Sequence, residues 1–395
     1  MPKYLPDRYN PQLLADKGYI QTEELLFELT AELESIYGQA YNEMKEKAEN
    51  YLKWYETKDL EKRKAFESGE LTEDEYERWR MTYMMTGKQN FAMLDVLSTN
   101  LSNVNMIAAS VINGYMPEVY AVNTNWTEFT IEKALKADTS FSLYDEQTVE
   151  RIVRDHPDLL PKAKVDIPLD KRWNKQKLTS AITQGILQGE TIDEIAQRLA
   201  AVTDMNQNAA VRNAATMTTS AQNGGRMDVF KRAQDMGIDV KHKWLATLDG
   251  HTRPTHRQCD GEIRAVGEKF SNGLLFPGDP HGAPEEVFNC RCCSVGVVNK
   301  QQSNLSDRDV KELNRWDMTY EEWEESKGQS RQPITRAARN ANRDLDMHEE
   351  YMSLLGNQVP SRFKDFQELK YKQPEKWRKM VSAARVARNK KRAKQ

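Results

Sequence analysis

All four cysteines of the chain, Cys259, Cys290, Cys292 and Cys293, fall within 35 residues. Four of the six histidines lie near them: His242, His251, His256 and His281. Three chemistries are open to such a cluster. The first is a zinc site, with His256-x2-Cys259 and Cys290-x-Cys292 each supplying two ligands, since zinc takes tetrahedral nitrogen and sulfur donors. The second is nucleophilic catalysis, with Cys290 as thiolate, His256 as base and Asp249 as its orienting carboxylate. The third needs no reaction at all: Cys290 and Cys292 alternate on a strand as small buried residues, the commonest fate of a free cysteine.

The surrounding polar residues read as turn architecture. Asp249-Gly250 favours a tight turn. Thr252 and Thr255 can bond loop backbone, and Asn289 can bridge backbone groups ahead of Cys290. Arg253 and Arg291 can each make a charge-assisted bond to a buried carboxylate such as Asp249. A structural network of Asp249, Thr252, Arg253, His256, Asn289 and Arg291 is therefore expected, with no catalytic residue among them. The sequence has no GxxxxGK[ST] or GxGxxG phosphate loop and no HExxH or GxSxG motif.

The elements that must carry these residues are mostly helical. Leu26, Leu29, Leu33, Ile36, Ala40, Met44, Ala48, Tyr51 and Tyr55 recur every three or four positions and predict one long helix over 22–56. Thr72 and Glu75 form a capping-box pattern, with Leu71 and Tyr76 as a hydrophobic staple. A helical pattern covers 88–116, and Asn123, Asn125 and Asp138 point to loops after it. Residues 165–205 read as two short helices. Leu178, Ile182 and Ile186 line the first, Gly189 ends it, and Thr191 with Glu194 caps the second, which buries Ile195 and Leu199. An Ala-rich helix follows over about 207–236 and stops at Gly237.

The period then changes to two. Ile238, Val240, His242, Trp244 and Ala246 alternate with polar residues, so 238–246 is a strand, with further strands at 262–266 and 294–298. Gly- and Pro-rich loops lie between them. Asp307–Lys327 is expected to be helical through Trp316, Tyr320 and Trp323, and 328–345 to be a linker. Phe363, Phe366, Leu369, Tyr371 and Trp377 make an aromatic patch. Val381–Gln395 reads as a short basic helix that frays at its last six residues. The fold class is mostly α: long N-terminal helices, a small α+β module near 239–299 and a basic helical tail. Three regions result, at 1–164, 165–299 and 300–395.

Composition excludes several classes. The chain has 395 residues and a mass of 45.7 kDa, with 38% hydrophobic and 30% charged residues and a mean hydropathy of −0.80. No apolar run approaches the roughly 18 residues of a membrane span, since Met106–Val122 is broken by Asn113, Gly114 and Pro117. The first residues lack the apolar core of a secretory signal, so no membrane anchor or leader is expected. Four cysteines do not make a disulfide scaffold, which points to a reducing compartment. The net charge of −3 hides an asymmetry: residues 331–395 carry +10 and the remainder −13. A basic tail on an acidic body fits a polyanionic partner.

Residues 177–298 resemble the phage Mu F-like head morphogenesis family, the minor head proteins of tailed phages. The resemblance rests on an ordered series: Gly189-x-Thr191-Ile-Asp-Glu-Ile-Ala196, the Ala-rich helix, Trp244-x4-Asp249, Thr252-Arg253-x2-His256, Gly261, Phe270, Pro277-Gly278 and Asn289-Cys290-Arg291-Cys292. Some relatives have cysteines at the positions of Arg253 and His256 and a histidine at that of Val287. Those departures favour a polar network over a metal. The resemblance implies a virion component rather than an enzyme, lying inside the head near the portal vertex and in some cases leaving with the DNA. Its expected partners are the portal protein, the capsid interior and double-stranded DNA. Host cytoplasm is its expected location during assembly. Arg385, Arg388, Lys390, Lys391, Arg392 and Lys394 are the expected phosphate contacts, without sequence specificity. No cofactor is expected, zinc being the alternative. The rival functions are a zinc-stabilised nucleic-acid-binding adaptor and an enzyme or toxin-type effector using the Cys/His cluster.

Overall fold

Long apolar stripes at helical spacing can only be buried by packing helix on helix, and helices dominate the computed structural model. It describes residues 10–86, 88–139, 141–155, 160–188, 190–301, 303, 310–311, 318–328 and 341–394. Gly189, Trp316, most of the expected linker and the side chains of Ile186, Arg392 and Lys394 lie outside the described residues. In chain order the elements are α1 (Pro11–Leu14), α2 (Lys17–Glu67), α3 (Glu73–Thr86), α4 (Lys88–Leu135), β1 (Asp138–Thr139), α5 (Glu146–Asp155), α6 (Ile167–Leu187) and α7 (Ile192–Asp235). Then come β2 (Val240–Leu245), α8 (Pro254–Cys259), β3 (Ile263–Ala265), α9 (Pro284–Val287), β4 (Cys293–Val298) and β5 (Val310–Lys311). The last are α10 (Tyr320–Gly328), α11 (Ala341–Leu355), α12 (Phe363–Lys372) and α13 (Pro374–Lys394).

The chain divides into two compact units. One comprises residues 33–115 and 162–217, the other residues 1–32, 116–161 and 218–395. The first unit is all helical. Its core holds Met44, Ala48, Leu52, Tyr55, Leu94, Leu97, Leu101, Leu178, Ile182, Ile195, Leu199 and Val202. The predicted stripe on α2 is rotated slightly: Tyr37 and Leu52 are fully buried, where the spacing predicted Ile36 and Tyr51. Both expected capping boxes close. Thr72 and Glu75 exchange bonds of 2.9 and 3.3 Å, and Thr191 and Glu194 exchange bonds of 2.7 and 3.3 Å. The core also encloses a knot of amides. Asn105 donates to Asp170 and Asn206, Asn206 to Asn174, and Asn174 back to Asp170, at 2.7–3.0 Å.

The second unit contains the sheet, of strand order β3-β2-β4, antiparallel throughout. Gly296 of β4 leaves room for the Phe230 ring of α7, which a Cβ would approach to 3.0 Å. Ile131, Leu135, Phe141, Phe230, Ala233, Ile238 and Val240 fill the space behind β2. A separate cluster of Tyr351, Phe366, Trp377, Met380, Val381 and Ala384 joins α11, α12 and α13. A buried Lys370–Asp344 pair at 2.8 Å ties α12 to α11.

Several boundaries differ from the sequence expectations. Helix α4 runs through Asn123 and Asn125 without a loop, because both amides find tertiary partners. Asn123 donates to Thr22 at 2.7 Å, and Asn125 exchanges two 2.8 Å bonds with the Tyr144 backbone. Helix α7 is one helix of 44 residues rather than two, since Asn206, at the expected break, donates to the Val202 carbonyl behind it. Within the expected helix over 307–327, Val310–Lys311 instead pairs with Asp138–Thr139, and α10 covers Tyr320–Gly328. Helix α13 continues to Lys394 instead of fraying, and α11 begins inside the expected linker.

Candidate functional site

Strand β2 sets the frame by its alternation. Val240, His242 and Trp244 turn inward, while Lys241 faces out. The Trp244 ring packs edge-on against Phe270 at 5.1 Å and against His256 at 5.2 Å. His242 is buried against Phe270 and bonds Ser294 at 3.0 Å. Burial pulls its pKa down to about 4, so it is neutral at physiological pH.

After β2 the chain turns sharply. Leu248 and Asn289 occupy the left-handed region, with φ of 62° and 55°. Asparagine tolerates that conformation, and at position 289 it turns the chain just before Cys290. Asp249 lies at the centre of the first turn. Its Oδ1 accepts from the His251 N–H at 2.9 Å and from the Thr252 hydroxyl at 3.0 Å, and its Oδ2 lies 2.5 Å from Arg291. Burial alone would raise the Asp249 pKa. The charge of Arg291 and these hydrogen bonds more than offset it, and the carboxyl is held below its usual range. Asp249, Thr252 and Arg291 thus converge. Arg253 does not join them: its guanidinium donates to the Phe288 carbonyl. Arg257, which no motif marks, donates to the Asp249 carbonyl at 2.6 Å.

Helix α8 is six residues long, with Pro254 at its first turn, and buries His256 and Cys259. His256 belongs to a second group. Its Nδ1 lies 3.5 Å from Cys292 Sγ and 3.6 Å from Cys290 Sγ, and its Nε2 lies 2.9 Å from the Glu286 carboxylate on α9. Thr255 donates to the same carboxylate at 2.9 Å. The orienting carboxylate is therefore Glu286, not Asp249, which removes the geometry of the Cys290–His256–Asp249 catalytic trio. Cys259 lies apart from the group, with its sulfur 3.3 Å from the Ser271 hydroxyl. Burial raises the Cys290 thiol, while contacts with Cys290 and His256 outweigh burial at Cys292 and lower it.

One face of α7 holds these loops. Thr219 donates to the Cys290 carbonyl and Ser220 to the Gly278 carbonyl, and Asn223 donates to Cys292 and accepts from Ser294. Gly278 has φ of 76°, and a Cβ there would meet the Ser220 backbone at 3.0 Å. One turn further on, Arg226 is 1% exposed. It forks onto Asp16 with two 2.7 Å bonds and also reaches Asn123 and the Ser294 carbonyl. Sequence patterning misses Arg226, Asp16 and Glu286, because a charged side chain on a helix or in a loop is by default read as solvated.

On the tail, Arg385, Lys390 and Lys391 are exposed. Arg388 is 9% exposed and forks onto Glu350 at 2.6 and 2.9 Å, so it is committed within the fold.

Residues 176–295, which carry every loop of this site, match the family described as Phage Mu protein F like protein. The phage Mu F-like match is thus confined to this part of the chain. Curated relatives match parts of the chain. Minor head protein GP7 of Bacillus phage SPP1 is 27% identical over 245 residues, which are 59% of this chain and 77% of GP7. The NAD(+)--arginine ADP-ribosyltransferase EFV of Enterococcus faecalis is 33% identical over 151 residues, 38% of this chain. The chain spans only 31% of the length of EFV. The uncharacterized protein YqbB of Bacillus subtilis is 26% identical over 141 residues, 34% of this chain and 45% of YqbB. No solved structure matches the chain.

Proposed function

We propose that this protein is a minor head protein of a tailed phage that sits inside the head, binds the portal vertex and contacts packaged DNA, leaving with it on release. The observation that carries this reading is the similarity to GP7 across 77% of that protein, together with the Phage Mu protein F like match over residues 176–295. The role is structural rather than catalytic. The ion pairs and hydrogen bonds of Asp249, Arg291 and Arg226 hold loops in place. The likeness to EFV is confined to less than a third of that enzyme and favours no transferase reading.

DNA contact is assigned to α13 through Arg385, Lys390 and Lys391. Basic side chains along a helix neutralise phosphates and release counterions, so binding is salt-dependent and indifferent to sequence. The test uses the full chain with linear duplex DNA over a series of salt concentrations. Reversing two charges, Lys390→Glu with Lys391→Glu, is expected to weaken binding and to flatten the log–log salt slope by about two. An unchanged slope would remove DNA contact from the tail. Co-elution with the portal protein of the same phage tests the other half, and separate elution at micromolar concentrations would contradict it.

A further inference from the structure

The meeting of His256, Cys290 and Cys292 has no counterpart in the polar network beside it. Two sulfurs approach one imidazole nitrogen, at 3.5 and 3.6 Å. A neutral imidazole offers a single lone pair at that nitrogen, so only one thiol can be satisfied there by hydrogen bonding. All three residues are at most 2% exposed.

A tetrahedral metal explains the spacing. Zinc binds sulfur at about 2.3 Å and imidazole nitrogen at about 2.0–2.1 Å, which at the tetrahedral angle places the two ligand atoms about 3.6 Å apart. The three donor atoms all lie within 4.8 Å of one another. Positions 290 and 292, either side of Arg291, send both sulfurs to the same side, as alternate residues of an extended segment do. Glu286, 2.9 Å from His256 Nε2, would hold the proton on that nitrogen and leave the Nδ1 lone pair facing the sulfurs. A carboxylate behind a histidine ligand is the usual supporting arrangement in zinc sites. The charges also close: two thiolates and a divalent ion make a neutral unit, which suits a buried position.

We propose that His256 Nδ1, Cys290 Sγ and Cys292 Sγ bind one zinc ion, with Glu286 as the positioning residue and a solvent molecule at the fourth vertex. Cys259 takes no part, being held against Ser271. The ion would pin the 284–292 loop to α8 and so staple the Mu F-like module from within. Metal binding would release the thiol protons to solvent and change no oxidation state.

The experiment uses the full chain purified without chelators. Elemental analysis is expected to find about one zinc per chain in wild type and in Cys259→Ser, and under a tenth of that in Cys292→Ser. Glu286→Gln is expected to keep the metal with 10- to 100-fold weaker affinity. After chelation, added Co(II) should give an intense thiolate-to-cobalt charge-transfer band in wild type. If Cys292→Ser does not fold, the wild type alone decides, through zinc content and the cobalt band. Wild-type protein without stoichiometric zinc and without the cobalt band would overturn the proposal. So would loss of metal in Cys259→Ser, or a 290–292 disulfide in freshly prepared protein, seen as loss of two hydrogens by mass.

Discussion

The helical core around Leu199 and the loop module around Asp249 solve the same problem with different forces. In the first, Leu97, Leu101, Leu178, Ile182 and Leu199 bury apolar stripes against one another, and local caps at Thr72 and Thr191 close the helix ends. In the second, few large apolar residues are available. Loops rich in Gly and Pro are fixed by Arg226 on Asp16, Arg291 on Asp249 and hydrogen bonds from α7 to loop carbonyls. The first arrangement tolerates approximate fit. The second depends on single side chains whose removal leaves a charge or carbonyl without a partner.

The sharpest way to break this contrast is at Arg226. Arg226→Met keeps the bulk but strands the Asp16 carboxylate in the interior, and is expected to cost about 3–5 kcal/mol. Urea denaturation followed by circular dichroism would measure it. In the helical core, Leu199→Ala is expected to cost about 2–5 kcal/mol through lost burial and a cavity, read the same way. A cost at Leu199 far above that at Arg226 would reverse the comparison.

Acid discriminates further. The folded pKa of His242 is lowered to about 4 from an ordinary value near 6.5. Its stabilisation is therefore complete above about pH 6.5 and is lost as pH falls from there towards 4, by up to about 3 kcal/mol. His242→Gln should flatten that part of the stability–pH curve. Asp249 acts lower on the scale: its folded pKa lies below the unfolded value. Its contribution is present above the ordinary carboxylate range and is lost as pH falls through the folded pKa. Asp249→Asn is expected to cost about 1–2 kcal/mol at neutral pH, since Arg291 is partly solvated, and much less in strong acid. The smallest effect belongs to the helical side: Thr191→Ala removes one capping box and should cost about 1 kcal/mol.

The same contrast governs what the sequence reveals. Periodicity is a local signal, so the stripe of α2, the caps at Thr72 and Thr191, the stop at Gly237 and the three strands are all legible in the order of residues alone. Asn123, Asn125 and Asn206 mislead, because an amide in a helix reads as a break until its distant partners are known. At the site, turn chemistry is enough to group Asp249, Thr252 and Arg291. It is not enough for the redirection of Arg253 to Phe288, the separation of Cys259 or the arrival of Glu286 behind His256, since each depends on how α8 and α9 meet in space. Arg388 carries the same lesson on the tail: its charge reads as solvated, yet it is paired with Glu350.

The most direct test of the proposed function is quantitative mass spectrometry of phage particles purified from cells that produce this chain, before and after triggered DNA release. A minor head protein bound at the portal vertex predicts a fixed, low copy number in intact particles and depletion once the DNA has left. Absence from intact particles, with the protein still abundant in the assembling cells, would contradict it.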